Sequence, residues 1–405
     1  MRIRPGLLDL TYCTNIHAGE SWEEVESSIA TYALPLRDRL APGKPFGIGL
    51  RLSAVAAEKL LTGEHLERFK SFLRVHNLYV ALINGFPFGS FHGGTVKSKV
   101  FAPDWRDPTR ARYTLNLAEI LCQLLPEGME GSISTMPLSY KPWLGSNVSE
   151  AWPAILEHLV DVASELARIR DKTGCMIHLD LEPEPNGLVE NVSELIEFFD
   201  GAAGSQAISM FAQKLDLSEE EARRRWRSHV RVCFDTCHMA IEFEDPIEAM
   251  KRLVSRGIRI GRIQISSALR VLFDGSDEAR ERFVASLAPF ADHVYLHQVI
   301  ERRADGSLTR YPDLEEALAA TQDDAPKEWR IHFHMPIFTE QYGPLLSTHD
   351  DNRRVLEAVT DGFITRHLEI ETYTWDVLPA PLKSDLLSSI EREFQWVLDE
   401  LCTKP

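Results

Sequence analysis

The sequence predicts an α/β protein, a single barrel of eight parallel strands that alternate with helices. Strand-like and helix-like segments follow one another along most of the chain, an order typical of a parallel sheet built from βα units. Five strand-like segments also end in residue types that bind metals. Barrel enzymes carry their chemistry at the carboxyl ends of the strands, so both observations favour the same fold.

The eight predicted strands are separated by amphipathic helices. The predicted helix 21–40 begins with Ser21 and Glu24 at the spacing of a capping box, and helix 149–172 carries an apolar stripe at helical spacing. The segments predicted as strands are 8–14, 46–52, 78–84, 131–136, 176–182, 230–235, 259–266 and 367–373.

Two further strand-like segments, 294–300 and 329–334, do not fit a count of eight. A turn signal at 304–307 and a short helix around 314–320 lie between them. We therefore predict an insertion at about 290–350 that elaborates the connection between strands seven and eight. Long connections on this side of a barrel rim the functional site. No interdomain linker stands out, so residues 1–405 are expected to form one domain.

The composition is that of an ordinary globular protein with a strong acidic excess. The chain has 44 basic and 61 acidic residues, a formal net charge of −17, which repels nucleic acid and anionic lipid. Its densest basic run, 223–227, follows three glutamates, as in a helix whose charges complement its dipole. The six cysteines lack the spacing of a disulfide framework, and signal-peptide and membrane-spanning patterns are missing. We expect a cytoplasmic protein without nucleic-acid binding or direct membrane insertion.

Polar residues at the strand ends predict one divalent-metal site. Asp235 and His238 close the strand 230–235. Side chains alternate along a strand, so residues two apart share a face, and buried charges on one face require a cation or a hydrogen-bond network. Carboxylate and imidazole ligands suit zinc, manganese, cobalt or iron better than calcium. The same-face pairs are Asp180 with Glu182, Gln264 with Ser266, His332 with His334, and Glu369 with Glu371.

Several other residues have both a functional and a structural interpretation. Arg51 ends the second strand and would pair with an anionic substrate or with Asp180 inside the barrel. His92 lies in a loop rich in glycine and aromatic residues, 84–94, which is either a substrate cover or a packed turn. His297 is equally compatible with a site and with a structural role. His238 would also serve as a helix cap or orient Asp235.

The residues around three strand ends resemble a known superfamily. The motif CFDTCH (233–238), a preceding strand that ends in Glu182 and a final strand that ends in Glu371 are similar to the xylose isomerase-like superfamily. Its members include sugar isomerases, epimerases and apurinic endonucleases, and each is a (β/α)8 TIM barrel that binds one to three divalent metals. The resemblance thus implies a xylose isomerase-like TIM barrel.

A closer resemblance covers nearly the whole chain. The segments LTYCTNIHAGESW (10–22) and FGIGLRLS (46–53) are similar to those of the bacterial metabolite-traffic family EboE. That family is tied to a gene cluster that delivers a secondary-metabolite precursor across the inner membrane. The resemblance implies a small-molecule metabolite as ligand and membrane proteins of the same pathway as partners.

The superfamily pattern also implies roles for individual residues. Gln264 stands where these barrels usually offer a histidine ligand, and an amide is the weaker ligand. Either His334 or His297 from the insertion fills that place, or the metal affinity is reduced. The pattern implies Glu182, Asp235 and Glu371 as metal ligands and His238 as a ligand or a substrate contact, and Gln264 and His334 complete the predicted ligand set. The residues themselves, rather than the resemblance, predict Arg51, His92, Gln264 and His297 as substrate contacts.

Three functions follow as expectations. The first is a metal-dependent isomerase or epimerase that uses zinc or manganese and moves a proton on a small polyhydroxylated or cyclic metabolite, with Glu182 or Glu371 as base. The second is a non-catalytic carrier or scaffold for membrane partners, because a fold does not determine a function. The third, a metal-dependent phosphoesterase, is disfavoured on DNA by the acidic charge.

Overall fold

The computed structural model describes residues 1–4, 8–273, 277–291, 293–320, 327–360, 364–380 and 383–402. Its strands are β1 (Arg2–Arg4), β2 (Leu8–Tyr12), β3 (Phe46–Arg51), β4 (Leu78–Asn84), β5 (Gly131–Thr135), β6 (Ile177–Leu181), β7 (Val230–Asp235), β8 (Ile260–Ile265), β9 (Ser267–Leu272), β10 (Val299–Arg302), β11 (Leu308–Tyr311), β12 (Glu328–Met335), β13 (Gln341–Tyr342), β14 (Leu345–Ser347) and β15 (His367–Ile370).

Helices fill most of the connections between these strands. They are α1 (Trp22–Ser28), α2 (Leu34–Leu40), α3 (Ala54–Leu60), α4 (His65–Val75), α5 (Pro108–Leu124), α6 (Lys141–Leu144), α7 (Val148–Thr173), α8 (Val192–Asp200), α9 (Ala202–Leu215), α10 (Glu219–His229), α11 (Thr236–Ile241), α12 (Pro246–Ser255), α13 (Asp277–Leu287), α14 (Leu314–Ala319), α15 (His349–Ala358) and α16 (Leu386–Cys402).

Eight parallel strands form the barrel. Their order is β2, β15, β8, β7, β6, β5, β4 and β3, and every neighbouring pair in this order is parallel. A parallel bridge between Cys13 and Gly49 joins the two ends of the order and closes the barrel. The eight strands coincide with the eight predicted segments. The prediction of a TIM barrel is therefore confirmed.

The predicted helices form where local signals place them. Ser21 caps α1 through a reciprocal capping box with Glu24, and a π-helical turn, Ile29–Ala33, joins α1 to α2 over the predicted range. The stripe of α7 is buried against the barrel at Ile155, Leu159 and Leu166. The basic run lies on α10, where Arg224 pairs with Glu221 at 2.6 Å, as expected for a solvated helix face.

The interior of the barrel is held by a buried ionic network. Arg262 donates to Glu369 Oε2 and to Ser132 Oγ, both at 2.7 Å. Asp180 accepts from Ser132 and lies 2.6 Å from His178 Nδ1. Such a group of charges is stable only when each member is paired and hydrogen bonded. The charged partner inside the barrel is thus Arg262, from strand β8.

Arg51 does not pair with Asp180, one of the two partners that the sequence left open. Its guanidinium forms an ion pair with Glu20 at 2.9 Å and donates to Gly19 O at 2.8 Å. Both partners lie in the loop before α1, which folds back over the end of β3. Arg51 therefore ties that loop to the barrel.

A second, antiparallel sheet elaborates the connection between the seventh and eighth barrel strands. Its order is β11, β10, β12, β9, β14 and β13. It begins at β9, one residue after β8, and so starts well before the predicted position of about 290. The turn signal joins β10 to β11 as a hairpin, and the strand in the predicted segment 294–300 covers only its last two residues before running on to Arg302.

Strand β12 of this sheet reaches the mouth of the barrel. His334 Nδ1 lies 2.6 Å from the backbone oxygen of Glu371, the residue that follows β15. The insertion thus contacts the residue that follows the final barrel strand. Within the described ranges, no helix has both the length and the apolar character that crossing a membrane requires.

Candidate metal centre

Three buried carboxylates converge at the mouth of the barrel. Glu182 follows β6, Asp235 ends β7 and Glu371 follows β15, so the chain delivers them at the carboxyl ends of three strands. One oxygen of each lies within 4.8 Å of the others, and no residue of the three is more than 3% exposed. This carboxylate triad is the arrangement that the sequence predicted for a metal.

Charge repulsion within the triad is severe without a cation. Burial, together with the charge of Asp235, raises the pKa of Glu182 well above its ordinary value, and burial and the charge of Glu182 do the same for the pKa of Glu371. Burial also acts to raise the pKa of Asp235, but the neighbouring His238 and His334 lower it overall. A divalent cation would allow all three carboxylates to ionise together.

Hydrogen bonds orient one carboxylate oxygen of Glu371 and one of Asp235. The side-chain amides of Asn15 and Asn84 donate to Glu371 Oε1 at 2.8 and 2.9 Å. Ser266 Oγ donates to Asp235 Oδ1 at 2.7 Å. The backbone N–H of His238 donates to the same oxygen at 3.0 Å, since Asp235 is the N-cap of α11.

Two buried oxygens of the triad remain available for a ligand. Asp235 Oδ2 and Glu182 Oε2 are buried and have no hydrogen-bond partner among the described residues. A buried acceptor without a partner costs free energy, which a cation between the two would recover. The triad therefore fits a divalent metal.

Three histidines lie close together beside the triad, and two of them, His238 and His334, are near Asp235. His238 belongs to α11, and His332 and His334 belong to β12. Ligand atoms of Asp235, His238 and His334 lie within 4.8 Å of one another, as do those of Glu184, His238 and His332. Burial lowers the pKa of His334 to about 4 and that of His332 well below its ordinary value, so both rings are neutral at physiological pH.

A small cavity of about 50 Å³ opens above these groups. Glu182, Glu184 and Glu371 line it together with His238 and His332. A water molecule needs a cavity of at least about 10–15 Å³, so this cavity has room for a small polar ligand or a few waters. Its opposite wall is largely apolar and includes Phe86, Pro87, Phe91, Val96, Tyr295 and Tyr373.

The structure brings most predicted metal ligands together. Glu182, Asp235, Glu371 and His334 meet at this mouth, and His238 joins them as predicted. Gln264 lies on the adjacent strand, but its Oε1 accepts a hydrogen bond from Cys233 Sγ at 2.8 Å. That oxygen is the only atom of the side chain able to bind a metal, so the thiol competes for it.

Four predicted substrate contacts lie outside the cavity lining, namely Gln264, described above, and Arg51, His92 and His297. Arg51 is paired with Glu20, as described above. The His92 ring packs edge-on against Phe91 at 5.2 Å. His297 Nδ1 lies 2.8 Å from the backbone oxygen of His332, so its ring stands behind β12 and supports it.

Sequence reasoning did not assign several residues that the structure places here. Glu184, His332, Asn15, Asn84 and Tyr373 all line the cavity. The signal for His332 is its position two residues before His334 on the same face of a strand. The signal for the two asparagines is their place at the ends of β2 and β4, the same rule that predicted the carboxylates.

Comparisons with known proteins give only structural likenesses. No protein-family model matches the chain, and no curated protein sequence matches it significantly. The IolI protein, solved with a binding zinc atom, is 12% identical, with a TM-score of 0.48 and coverage of 98% of this chain and 100% of that chain.

Two further likenesses are weaker. The probable 3-DHS dehydratase AsbF of Bacillus anthracis, involved in petrobactin synthesis, is 12% identical, with a TM-score of 0.46 and coverage of 96% and 98%. A D-tagatose 3-epimerase-like protein is 15% identical, with a TM-score of 0.38 and coverage of 64% and 77%. At such low identities and scores, the fold assignment rests on the strand order of the chain itself.

Proposed function

We propose that this protein is a metal-dependent enzyme that moves a proton on a small polar metabolite, in the manner of sugar isomerases and epimerases. One observation carries the proposal. Glu182, Asp235 and Glu371 converge, buried, below a small cavity, and two of their oxygens lack hydrogen-bond partners within the described part of the chain. An inert core would not retain such a group.

The donor set suits zinc or manganese. Glu182, Asp235 and Glu371 would hold the metal, with His334, which is grouped with Asp235, as a further ligand. Such an ion, when bound, polarises a substrate oxygen and acidifies the adjacent C–H bond.

The protein's own groups would bind the substrate and move the proton. Asn15 and Asn84 line the cavity, and Asn15 Oδ1, a buried acceptor without a partner among the described residues, would receive a hydrogen bond from a polar ligand. Glu182, which lines the cavity, would accept a proton from the substrate and return it. The aromatic wall with Phe91 and Tyr295 excludes bulk water from the exchange.

The resemblance of segments 10–22 and 46–53 to the EboE family supports a role in secondary-metabolite precursor traffic. The ligand would be a precursor of that pathway, and its membrane proteins would be the partners. The cavity of about 50 Å³ favours a small ligand.

Elemental analysis of the purified protein tests the metal. We expect bound zinc or manganese, and a loss of affinity of more than about tenfold in Glu371→Gln, since even outer partners of a metal site cost that much. Glu393→Gln is the matched control, because Glu393 is equally buried but does not line the cavity. Wild-type protein without metal, and without thermal stabilisation by added Zn²⁺ or Mn²⁺, would contradict the proposal.

Proton exchange tests the chemistry. Incubation of the metal-loaded protein with a panel of small sugars and cyclitols in D₂O should introduce deuterium at a carbon of one of them, measured by NMR. The Glu182→Gln variant should lose this exchange. Binding of a panel member without exchange in the wild type would refute the enzyme and favour the non-catalytic carrier.

A further inference from the structure

Three imidazoles at the barrel mouth each turn one nitrogen away from the cluster. His238 Nδ1 lies 3.0 Å from the backbone oxygen of Pro183, and His334 Nδ1 lies 2.6 Å from that of Glu371. A backbone carbonyl only accepts hydrogen bonds, so both Nδ1 atoms carry a proton. The Nε2 atoms of His238 and His334 are therefore the ring nitrogens left to act as acceptors.

The tautomer of His332 follows from Gln298. The Gln298 amide nitrogen donates to the Pro185 carbonyl at 3.1 Å and lies 3.5 Å from Glu184 Oε1, so this end of the amide faces two acceptors. Its oxygen is thus the atom 2.7 Å from His332 Nδ1, which must donate. His332 Nε2 is a lone-pair acceptor as well.

Two of these lone pairs face each other. His238 Nε2 and His332 Nε2 are 3.1 Å apart, with both side chains at most 4% exposed. A hydrogen bond between them requires an additional proton, and hence a buried imidazolium. The Tyr373 hydroxyl, 3.4 Å from His332 Nε2, is able to serve only that nitrogen.

Further unpartnered acceptors surround the pair. His334 Nε2 and Glu184 Oε2 are fully buried atoms without a hydrogen-bond partner in the ranges that the structure describes. Glu184, His238 and His332 form one of the groups whose ligand atoms lie within 4.8 Å of one another, and all three line the cavity. Several acceptors thus converge at one part of the cavity wall, an arrangement that suits a cation.

We propose that His238, His332 and Glu184 hold a second metal ion beside the carboxylate triad. Two nitrogens bound to one tetrahedral zinc are about 3.3 Å apart, because each Zn–N bond is about 2.0–2.1 Å, and the observed separation is 3.1 Å. Each imidazole has the donor contact through its other nitrogen that metal-binding histidines have. The imidazole-rich donor set selects zinc over magnesium or calcium.

The second site depends on the added sheet. His332 lies on β12, whereas the triad is built from barrel strands alone. Asp235 is close to both sites, since it belongs to the triad and to the group with His238 and His334. The inference rests on the proposed function and extends it to a two-metal centre. Because the second ion has ligands of its own, an experiment is able to refute the second site without refuting the triad site, and the reverse.

Metal stoichiometry tests the second site. Metal-free protein is titrated with Zn²⁺ by calorimetry, and with Co²⁺ by visible absorption, which reports nitrogen ligands in a tetrahedral site. We expect two equivalents per chain in the wild type and one in His332→Gln, with loss of the tetrahedral Co²⁺ bands. His229→Gln is the matched control, because this buried histidine also has a ring nitrogen against a backbone oxygen. It directly precedes β7 and so lies at the other end of that strand from Asp235.

The possible outcomes separate the two proposals. One equivalent that is lost in Glu371→Gln but retained in His332→Gln would overturn the second site and leave the proposed function standing. One equivalent with the opposite pattern would support the second site and overturn the triad. Should His332→Gln unfold, as seen by circular dichroism, Glu184→Gln keeps both imidazoles, and two full equivalents in that variant would count against the inference.

Discussion

At the scale of single residues, buried titratable groups are controlled by one or two hydrogen bonds each. Glu393 on α16 is fully buried, accepts from Thr372 Oγ1 at 2.6 Å and from the Ile337 N–H at 3.2 Å, and thereby joins the last helix to the barrel. Its Oε2 has no hydrogen-bond partner among the residues described. Burial raises the pKa of Glu393 to about 8.

This pKa predicts that the wild type loses stability as the pH rises, and that Glu393→Gln does not show this loss. A carboxyl group whose folded-state pKa lies above its unfolded value of 4.5 contributes stability below that value, and the contribution is lost as the pH rises through about 8. Between about pH 5 and about pH 9, the free energy of unfolding of Glu393→Gln should therefore rise by on the order of a few kcal/mol relative to that of the wild type. Urea unfolding at both pH values measures the difference.

The exposed neighbour Glu391 supplies the control for that measurement. Its side chain is 37% exposed and pairs with Arg39 on the surface. The difference in free energy of unfolding between Glu391→Gln and the wild type should therefore be nearly the same at both pH values. If the corresponding difference for Glu393→Gln is also the same at both pH values, the carboxyl group of Glu393 does not have a raised pKa in the folded protein.

At the scale of elements, two barrel strands contain glycine where a side chain from the next strand but one fills the interior. A Cβ at Gly49 in β3 would lie 1.8 Å from Glu369 Oε1, and one at Gly261 in β8 would lie 2.2 Å from Asp180 Oδ1. Both carboxylates belong to the network around Arg262. These glycines therefore allow the strands to enclose the buried charges.

We predict that Gly261→Ala destabilises the protein by about 1–3 kcal/mol or more, the usual cost of overpacking a rigid core. Asp180 has little room to move, because Ser132 and His178 hold it. Chemical denaturation measures the change. In Gly94→Ala, the control, the new methyl group meets no described atom within 4 Å, so its stability should stay within about 0.5 kcal/mol of the wild type. Equal stabilities of the two variants would contradict the close approach at β8.

At the scale of the whole molecule, the acidic excess governs which partners the protein accepts. The formal charge of −17 opposes binding to phosphate backbones, and the densest basic run lies on α10, where its arginines pair with acidic neighbours. Counterion release, the main source of non-specific DNA affinity, needs an unpaired basic surface.

We therefore predict no measurable binding to duplex DNA at about 0.15 M salt. Fluorescence anisotropy with a labelled duplex, in the presence and absence of Zn²⁺, measures it, and a duplex with an abasic site serves as the second probe. Metal-dependent cleavage of that site would contradict the prediction and favour a phosphoesterase.

Much of the architecture follows from local patterns. The capping box at Ser21, the stripe of α7 and the eight strand segments depend on residues close together in the sequence, so periodicity alone predicts them. The same reasoning predicts Glu182, Asp235 and Glu371 as neighbours, because all barrel strands end at one face.

The sequence by itself thus determined the barrel and the carboxylates at its mouth, whereas the tertiary structure decided what surrounds them. Which strand supplies the partner of Asp180, how far the second sheet extends and which nitrogen of His332 faces the cavity all depend on contacts between distant segments. Such contacts form by long-range packing and hydrogen bonding, which no local periodicity encodes. The same packing brings His332 of the added sheet to His238 of the barrel.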